Sequence, residues 1–129
     1  MLQLQKVQHI AIICSNYELS KSFYTTILGF EILDEEYRAE RNSYKLELAL
    51  NGNYIIELFS FPNPPERLSF PEATGLRHIA FEVENLDESI HFLNKNNIYC
   101  EPIRINTTNS KRFTFFNDPD KLPIELCEK

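Results

Sequence analysis

His9-Ile10-Ala11-Ile12-Ile13-Cys14-Ser15-Asn16 returns in the second half of the chain as His78-Ile79-Ala80-Phe81-Glu82-Val83-Glu84-Asn85. Both stretches open His-Ile-Ala and close on asparagine. Each leads into a helix-like segment with a Ser and a Phe in matching places, Ser20 and Phe23 against Ser89 and Phe92. A second echo ends each half: Tyr54-Ile55-Ile56-Glu57-Leu58 and Leu122-Pro123-Ile124-Glu125-Leu126. The histidines stand 69 residues apart and the glutamates 68, so the order His…Glu recurs in nearly constant phase. Self-similarity of this kind marks two copies of one supersecondary unit.

Each copy reads as strand, helix, then three strands, a βαβββ module, which makes the fold class α+β. In the first, Val7 to Ile13 is apolar and β-branched, hence a strand. Asn16 is an N-cap for a helix from Tyr17 to Leu28, with Leu19, Phe23 and Ile27 as its stripe and Gly29 as its stop. Phe30–Tyr37 and Tyr44–Leu50 are extended, and Asn51-Gly52 is a two-residue hairpin turn into Tyr54–Phe59. In the second copy the strand is Arg77–Glu84 and the helix Asp87–Asn96, with Leu86, Ile90 and Leu93 apolar. Strands follow at Tyr99–Ile105, Arg112–Asn117 and Leu122–Cys127, the last two joined by a turn at Asp118-Pro119-Asp120. The modules span about 5–60 and 76–128 of a single domain, with a stiff proline-rich connector over 61–75.

The whole chain of 129 residues has room for one domain and for a core that needs no disulfide. A net charge of −6 argues against a nucleic-acid binder, which needs a basic face. Its apolar runs are strand-sized, so no membrane span is expected. Three cysteines at unrelated spacings, Cys14, Cys100 and Cys127, and a start without a signal-peptide pattern fit reduced thiols and a cytoplasmic location.

Strand alternation then decides where the repeated polar residues go. Ile10 and Ile12 share the face that suits the helix, which leaves His9 on the other; Ile79, Phe81 and Val83 do the same for His78. Glu57 alternates with Ile56 and Leu58, and Glu125 with Ile124 and Leu126, so both glutamates join the histidines. An ionised carboxylate in such surroundings costs several kcal/mol if unpaired. Local pairing with Lys or Arg is one remedy. A divalent cation held by His9, Glu57, His78 and Glu125 is the other, and it accounts for all four at once. Two neutral imidazoles and two carboxylates suit Ni, Zn, Co, Mn or Fe, with two octahedral positions left for water or substrate.

These features resemble the vicinal oxygen chelate superfamily, the glyoxalase I and dioxygenase fold of paired βαβββ modules that form a mixed-sheet cup or barrel. The resemblance runs through His9-Ile10-Ala11, Phe23-Tyr24, Leu28-Gly29-Phe30, Ile56-Glu57-Leu58, Arg77-His78-Ile79-Ala80-Phe81, Phe116-Asn117-Asp118-Pro119-Asp120 and Ile124-Glu125-Leu126. Within the family it resembles the short bacterial glyoxalase-like proteins of the YaeR type. The resemblance implies that His9, Glu57, His78 and Glu125 are metal ligands. It further implies a lyase or isomerase like lactoylglutathione lyase, with Glu125 as the base and Glu57 assisting or remaining a ligand. The substrate would be a small α-hydroxycarbonyl or a hemithioacetal of glutathione or another thiol. Acyl-thioester epimerisation needs the same proton abstraction, and a non-catalytic metal- or ligand-binding protein is the alternative class. Lys121 departs from the glycine usual in the family's turn. The connector is ill suited to folding one module over the other, so a homodimer sharing metal sites between chains is expected.

Secondary candidates depend on register. If 118–121 form a four-residue loop, Arg112, Thr114 and Phe116 fall opposite Cys127, Glu125 and Pro123. Arg112 then faces the site and is either a ligand for a substrate carboxylate or phosphate or a surface or pairing arginine; a loop one residue different reverses its face. With Asn51-Gly52 as a two-residue turn, Leu46 lies beside Glu57, whereas a three-residue loop would bring Glu47 there. Cys127 shares the face of Glu125 without a base to activate it, and His91 is a surface helix residue.

Overall fold

The computed structural model describes all residues, Met1–Lys129, as two compact units, Met1–Pro65 and Glu66–Lys129. The first is built from β1 (Ile10–Cys14), α1 (Tyr17–Ser22), β2 (Glu31–Arg38), β3 (Ser43–Leu50) and β4 (Asn53–Ser60). Its sheet order is β1-β4-β3-β2, with β1 parallel to β4 and the other pairs antiparallel. The second unit repeats the plan with β5 (Ile79–Val83), α2 (Leu86–Lys95), β6 (Arg104–Ile105), β7 (Arg112–Asn117) and β8 (Pro123–Glu128) in the order β5-β8-β7-β6. The fold is α+β, with two four-stranded mixed sheets, and no helix is long and apolar enough to cross a membrane.

The repeated motifs turn out to be neighbours. In the first unit Ile10, Ala11 and Ile12 pair with Ile56, Glu57 and Leu58; in the second Ile79, Ala80 and Phe81 pair with Ile124, Glu125 and Leu126. The asparagines that close the aligned stretches are helix caps. Asn16 Oδ1 accepts from the Leu19 N–H at 3.1 Å, and Asn85 Oδ1 from the Glu88 N–H at 3.0 Å, each satisfying a donor that the helix leaves free.

One side of each sheet is apolar and carries the helix. In the first unit Ile12, Cys14, Leu46, Leu48, Ile56 and Leu58 are buried with Tyr17, Phe23, Tyr24 and Phe30. Each such aliphatic side chain contributes about 2 kcal/mol on burial. In the second, Ile79, Thr114, Phe116, Ile124 and Leu126 lie with Leu86 and Leu93, and the Thr114 hydroxyl donates to the Glu101 carbonyl at 2.6 Å.

Three details differ from expectation. The first helix widens into a π turn over Phe23–Ile27, and its buried stripe is Tyr17, Ser20, Phe23 and Tyr24, with Leu19 exposed. Gly29, at φ +78°, lets the Phe30 N–H reach back to the Tyr24 carbonyl and stop the helix. The strand expected over 99–105 shrinks to Arg104–Ile105, because Pro102 has no N–H for the ladder. The turn after β7 runs over five residues, 118–122: Asp118 Oδ1 accepts from the Asp120 and Leu122 N–H groups, and Lys121 sits at φ +66°. A lysine there carries strain on the order of 1 kcal/mol. The connector's second half is tied to its own unit by the Arg67 guanidinium, which donates to the Leu76 and Arg77 carbonyls, each at 2.8 Å.

α1 is fastened to β2 by a small polar cluster. The Tyr17 hydroxyl donates to Glu35 Oε2, and Lys21 Nζ meets the same oxygen at 2.6 Å. Both contacts hold the Glu35 carboxyl below its ordinary value of 4.5, the lysine first. The native state therefore binds fewer protons than the unfolded chain in that window, and stability falls as pH drops through the native value. Glu35→Gln removes this term. The stability advantage of the unmutated protein over Glu35→Gln is predicted to be full above pH 4.5 and to shrink on acidification, as read from urea melts at successive pH values.

Candidate metal centre

In each unit the strand bearing the glutamate lies beside the strand that follows the histidine. Alternation sends Glu57 and Glu125 to the sheet face away from the helix, where their side chains are only 15% and 16% exposed. His9 Nε2 stands 3.5 Å from Glu57 Oε1, and His78 Nε2 stands 3.0 Å from Glu125 Oε2. Neither carboxylate has a Lys or Arg partner; an imidazole Nε2 is the titratable nitrogen beside each.

The neighbours of the two pairs differ. His9 Nδ1 is hydrogen-bonded to Gln8 Oε1. With Nδ1–H donating, Nε2 carries the lone pair and faces Glu57, the tautomer that a metal-ligating imidazole needs. Tyr54 lies flat against the His9 ring, at 5.0 Å between centroids, and donates its hydroxyl to Glu57 Oε2 at 2.9 Å. Burial and the adjacent Glu57 push the Tyr54 phenol well above its ordinary range, so it stays a donor. In the second unit Phe115 meets His78 edge-on at 5.1 Å and is the cross-strand partner of Glu125. The Cys127 thiol donates to Glu125 Oε1 at 3.3 Å, and burial, followed by that bond, pushes it up to about 11.

The donor sets fit a divalent ion. Bonds of about 2.1 Å place adjacent ligands of an octahedron about 3.0 Å apart and of a tetrahedron about 3.4 Å apart, and the His–Glu separations fall at those lengths. Of the predicted residues, His9 meets Glu57 and His78 meets Glu125. The four come together two by two, and no group of three or more His, Cys, Asp or Glu is poised to hold an ion.

Two register expectations are corrected. The Asn51-Gly52 turn forms as expected, with φ +51° and +80°. Beyond it, however, Ala49 pairs with Tyr54 while Leu48 pairs with Ile56, so Ile55 is an extra residue in β4. That bulge slides Glu47, not Leu46, opposite Glu57, and brings Tyr54 to the side of a residue three positions away. Glu47 is thus a second acid beside the pair, with Lys45 Nζ at 3.5 Å.

Arg112 is the other correction. The five-residue turn pairs Phe115, not Thr114, with Glu125, which turns Arg112 to the α2 side. There its guanidinium holds Glu128 at 2.7 Å and Asp87 at 2.9 Å. Arg112 therefore joins the last strand to the first turn of α2 and does not face Glu125. Gln8 and Tyr54 were missed, and Glu47 entered only as the three-residue-loop alternative, because their placement depends on local pairing, although the helical-looking spacing of Tyr54 and Glu57 hints at a bulge.

A family model described as the glyoxalase/bleomycin resistance protein/dioxygenase superfamily matches residues 6–126. The chain is 59% identical to YwkD of Bacillus subtilis (strain 168), over 98% of each chain, and 57% identical to YaeR of Escherichia coli (strain K12), over the full length of both. It is also similar to a solved glyoxalase family protein from Enterococcus faecalis, at 48% identity and a TM-score of 0.89, over 96% of this chain and 98% of that one.

With Arg112 engaged by Glu128 and Asp87, Arg112→Ala is predicted to lower Tm while leaving metal content, measured by elemental analysis, the same as in the unmutated protein.

Proposed function

Because the chain belongs to the glyoxalase/bleomycin resistance protein/dioxygenase superfamily, we propose that it is a metal-dependent lyase or isomerase of glyoxalase type. It would move a proton between adjacent carbons of a small α-hydroxycarbonyl or hemithioacetal, in the manner of lactoylglutathione lyase. The observation that carries this reading is the pair of mostly buried carboxylates, each beside an imidazole nitrogen and without a lysine or arginine. His9, Glu57, His78 and Glu125 would hold one divalent ion, which when bound supplies Lewis-acid polarisation of two vicinal substrate oxygens and acidifies the C–H beside them.

The side chains divide the remaining work. Glu57 is tethered by the Tyr54 hydroxyl and flanked by Glu47, which suits a fixed ligand. Glu125 has only a thiol, a weak donor, on its second oxygen. It is freer to turn, accept a proton from one carbon and return it to the next. Phe115 beside it supplies an apolar wall that limits water at the transferring proton.

Each unit supplies only two donors, so we assign the complete set to a homodimer in which His9 and Glu57 of one protomer meet His78 and Glu125 of the other. Sedimentation at micromolar concentration is expected to give a dimer, and a monomer that still binds one ion tightly would refute the exchange.

Elemental analysis and a hemithioacetal isomerisation assay, run after reconstitution with Ni, Co, Zn or Mn, test the activity. Glu125→Gln is predicted to retain the metal and lose turnover by about 100-fold or more, as expected for removal of a general base, whereas Glu57→Gln loses the metal itself. Metal binding without isomerisation of any hemithioacetal or α-hydroxycarbonyl would leave the protein a binding module.

A further inference from the structure

The helix-free face of the first unit continues past Glu57 into a cluster that the proton-transfer chemistry does not use. Phe59 and Phe61 follow Glu57 at alternate positions, and their rings stack at 5.7 Å and 16°. The Arg38 guanidinium carbon lies 5.1 Å from the centre of the Phe59 ring, and that of Arg41 lies 5.0 Å from the Phe61 ring. Arg38 comes from the end of β2, opposite Ser43, and Arg41 from the single helical turn Ala39–Arg41 that joins β2 to β3.

These two arginines, like Arg77 on Phe70, stand on aromatic rings without a carboxylate partner. Acids outnumber Lys and Arg, 19 to 13. The other guanidiniums near the sheet faces are neutralised: Arg104, over Phe113 and Phe115, by Glu101 at 2.9 Å, and Arg112 by Glu128 and Asp87. Arg38 and Arg41 have no carboxylate partner. Arg38 reaches only the Ser43 hydroxyl, at 3.4 Å through Nη2, and its Nε is buried with no acceptor. A buried donor without an acceptor is costly, and a charged one more so. An aromatic ring compensates a guanidinium through its face and leaves the N–H edge free for a planar, two-point acceptor.

We propose that Arg38 and Arg41, floored by Phe59 and Phe61, form an oxyanion subsite, so that the substrate carries a carboxylate or phosphate besides its vicinal oxygens. Strand rise sets the reach. Along the chain direction of β4, Phe59 lies about 7 Å from Glu57 and Phe61, just past the strand's end, about 13 Å, so the anionic group stands about five bonds or more from the reacting carbons. Neutral carbonyls are then poor substrates, and small carbonyl acids or phosphorylated carbonyl compounds are the preferred class. The substrate assignment rests on the function proposed above; anion binding at Arg38 does not, because it needs no metal.

Titration of metal-free, arginine-labelled protein with inorganic phosphate and with malonate, followed through the arginine Nε–Hε resonances by NMR, tests this. The Arg38 resonance is expected to shift saturably with at least one anion, and the tighter of the two identifies phosphate or carboxylate chemistry. Arg41→Gln, at an exposed position, is expected to weaken that anion about tenfold, and Arg38→Lys, which keeps charge without the two-point edge, to do likewise. No shift of Arg38 with either anion, or unchanged affinity in both variants, would overturn the subsite. Loss of isomerase activity in the reconstitution assay with anion binding intact would instead remove the proton-transfer reading alone.

Discussion

A carboxylate in the middle of a strand, between two aliphatic residues that must face a core, has one direction left to it. That constraint organises both halves of this protein. Ile56 and Leu58 are buried under α1, and Ile124 and Leu126 under α2, so Glu57 and Glu125 are driven to the opposite sheet faces. Once there they are too enclosed to rely on water and too far from any lysine or arginine to form an ordinary ion pair. The imidazole that precedes the parallel neighbour strand is the group within reach. A proton or a divalent ion between imidazole and carboxylate relieves the same electrostatic cost.

The two halves share this plan but surround it differently. The position opposite Glu57 is Glu47, whereas that opposite Glu125 is Phe115. Glu57 receives a phenol, held protonated by burial and by the carboxylate itself; Glu125 receives a thiol. One acid is thus fixed in a polar, hydrogen-bonded setting and the other left in an apolar one with a weak donor. The same residue type is thus kept in two different settings. The first unit adds two guanidiniums on phenylalanine rings, and the second turns its corresponding surface into a neutralised Arg104–Glu101 pair.

Much of the fold was legible from the repeat. The strand–helix–three-strand plan, the capping role of Asn16 and Asn85, the turn at Asn51-Gly52 and the faces of His9, Glu57, His78 and Glu125 all follow from short-range rules. The errors fall where one residue more or less changes the pairing. The bulge at Ile55 brought Glu47 to Glu57, and the extra residue in the 118–122 turn took Arg112 away from Glu125. The helix stripe also fell on Tyr17 and Ser20 instead of Leu19, and the helix widened into a π turn after Ser22.

The chain's own residues determine which side chains alternate, because period along a single strand is a local property of the backbone. They therefore determine that two histidines and two glutamates leave the helix side of their sheets. Tertiary structure decided what stands opposite each of them, because cross-strand register is the sum of every turn and bulge between the partners, and a shift of one exchanges the faces. Tyr54 beside His9, Phe115 beside Glu125, and Arg38 over Phe59 with its buried Nε unmet all belong to that second class.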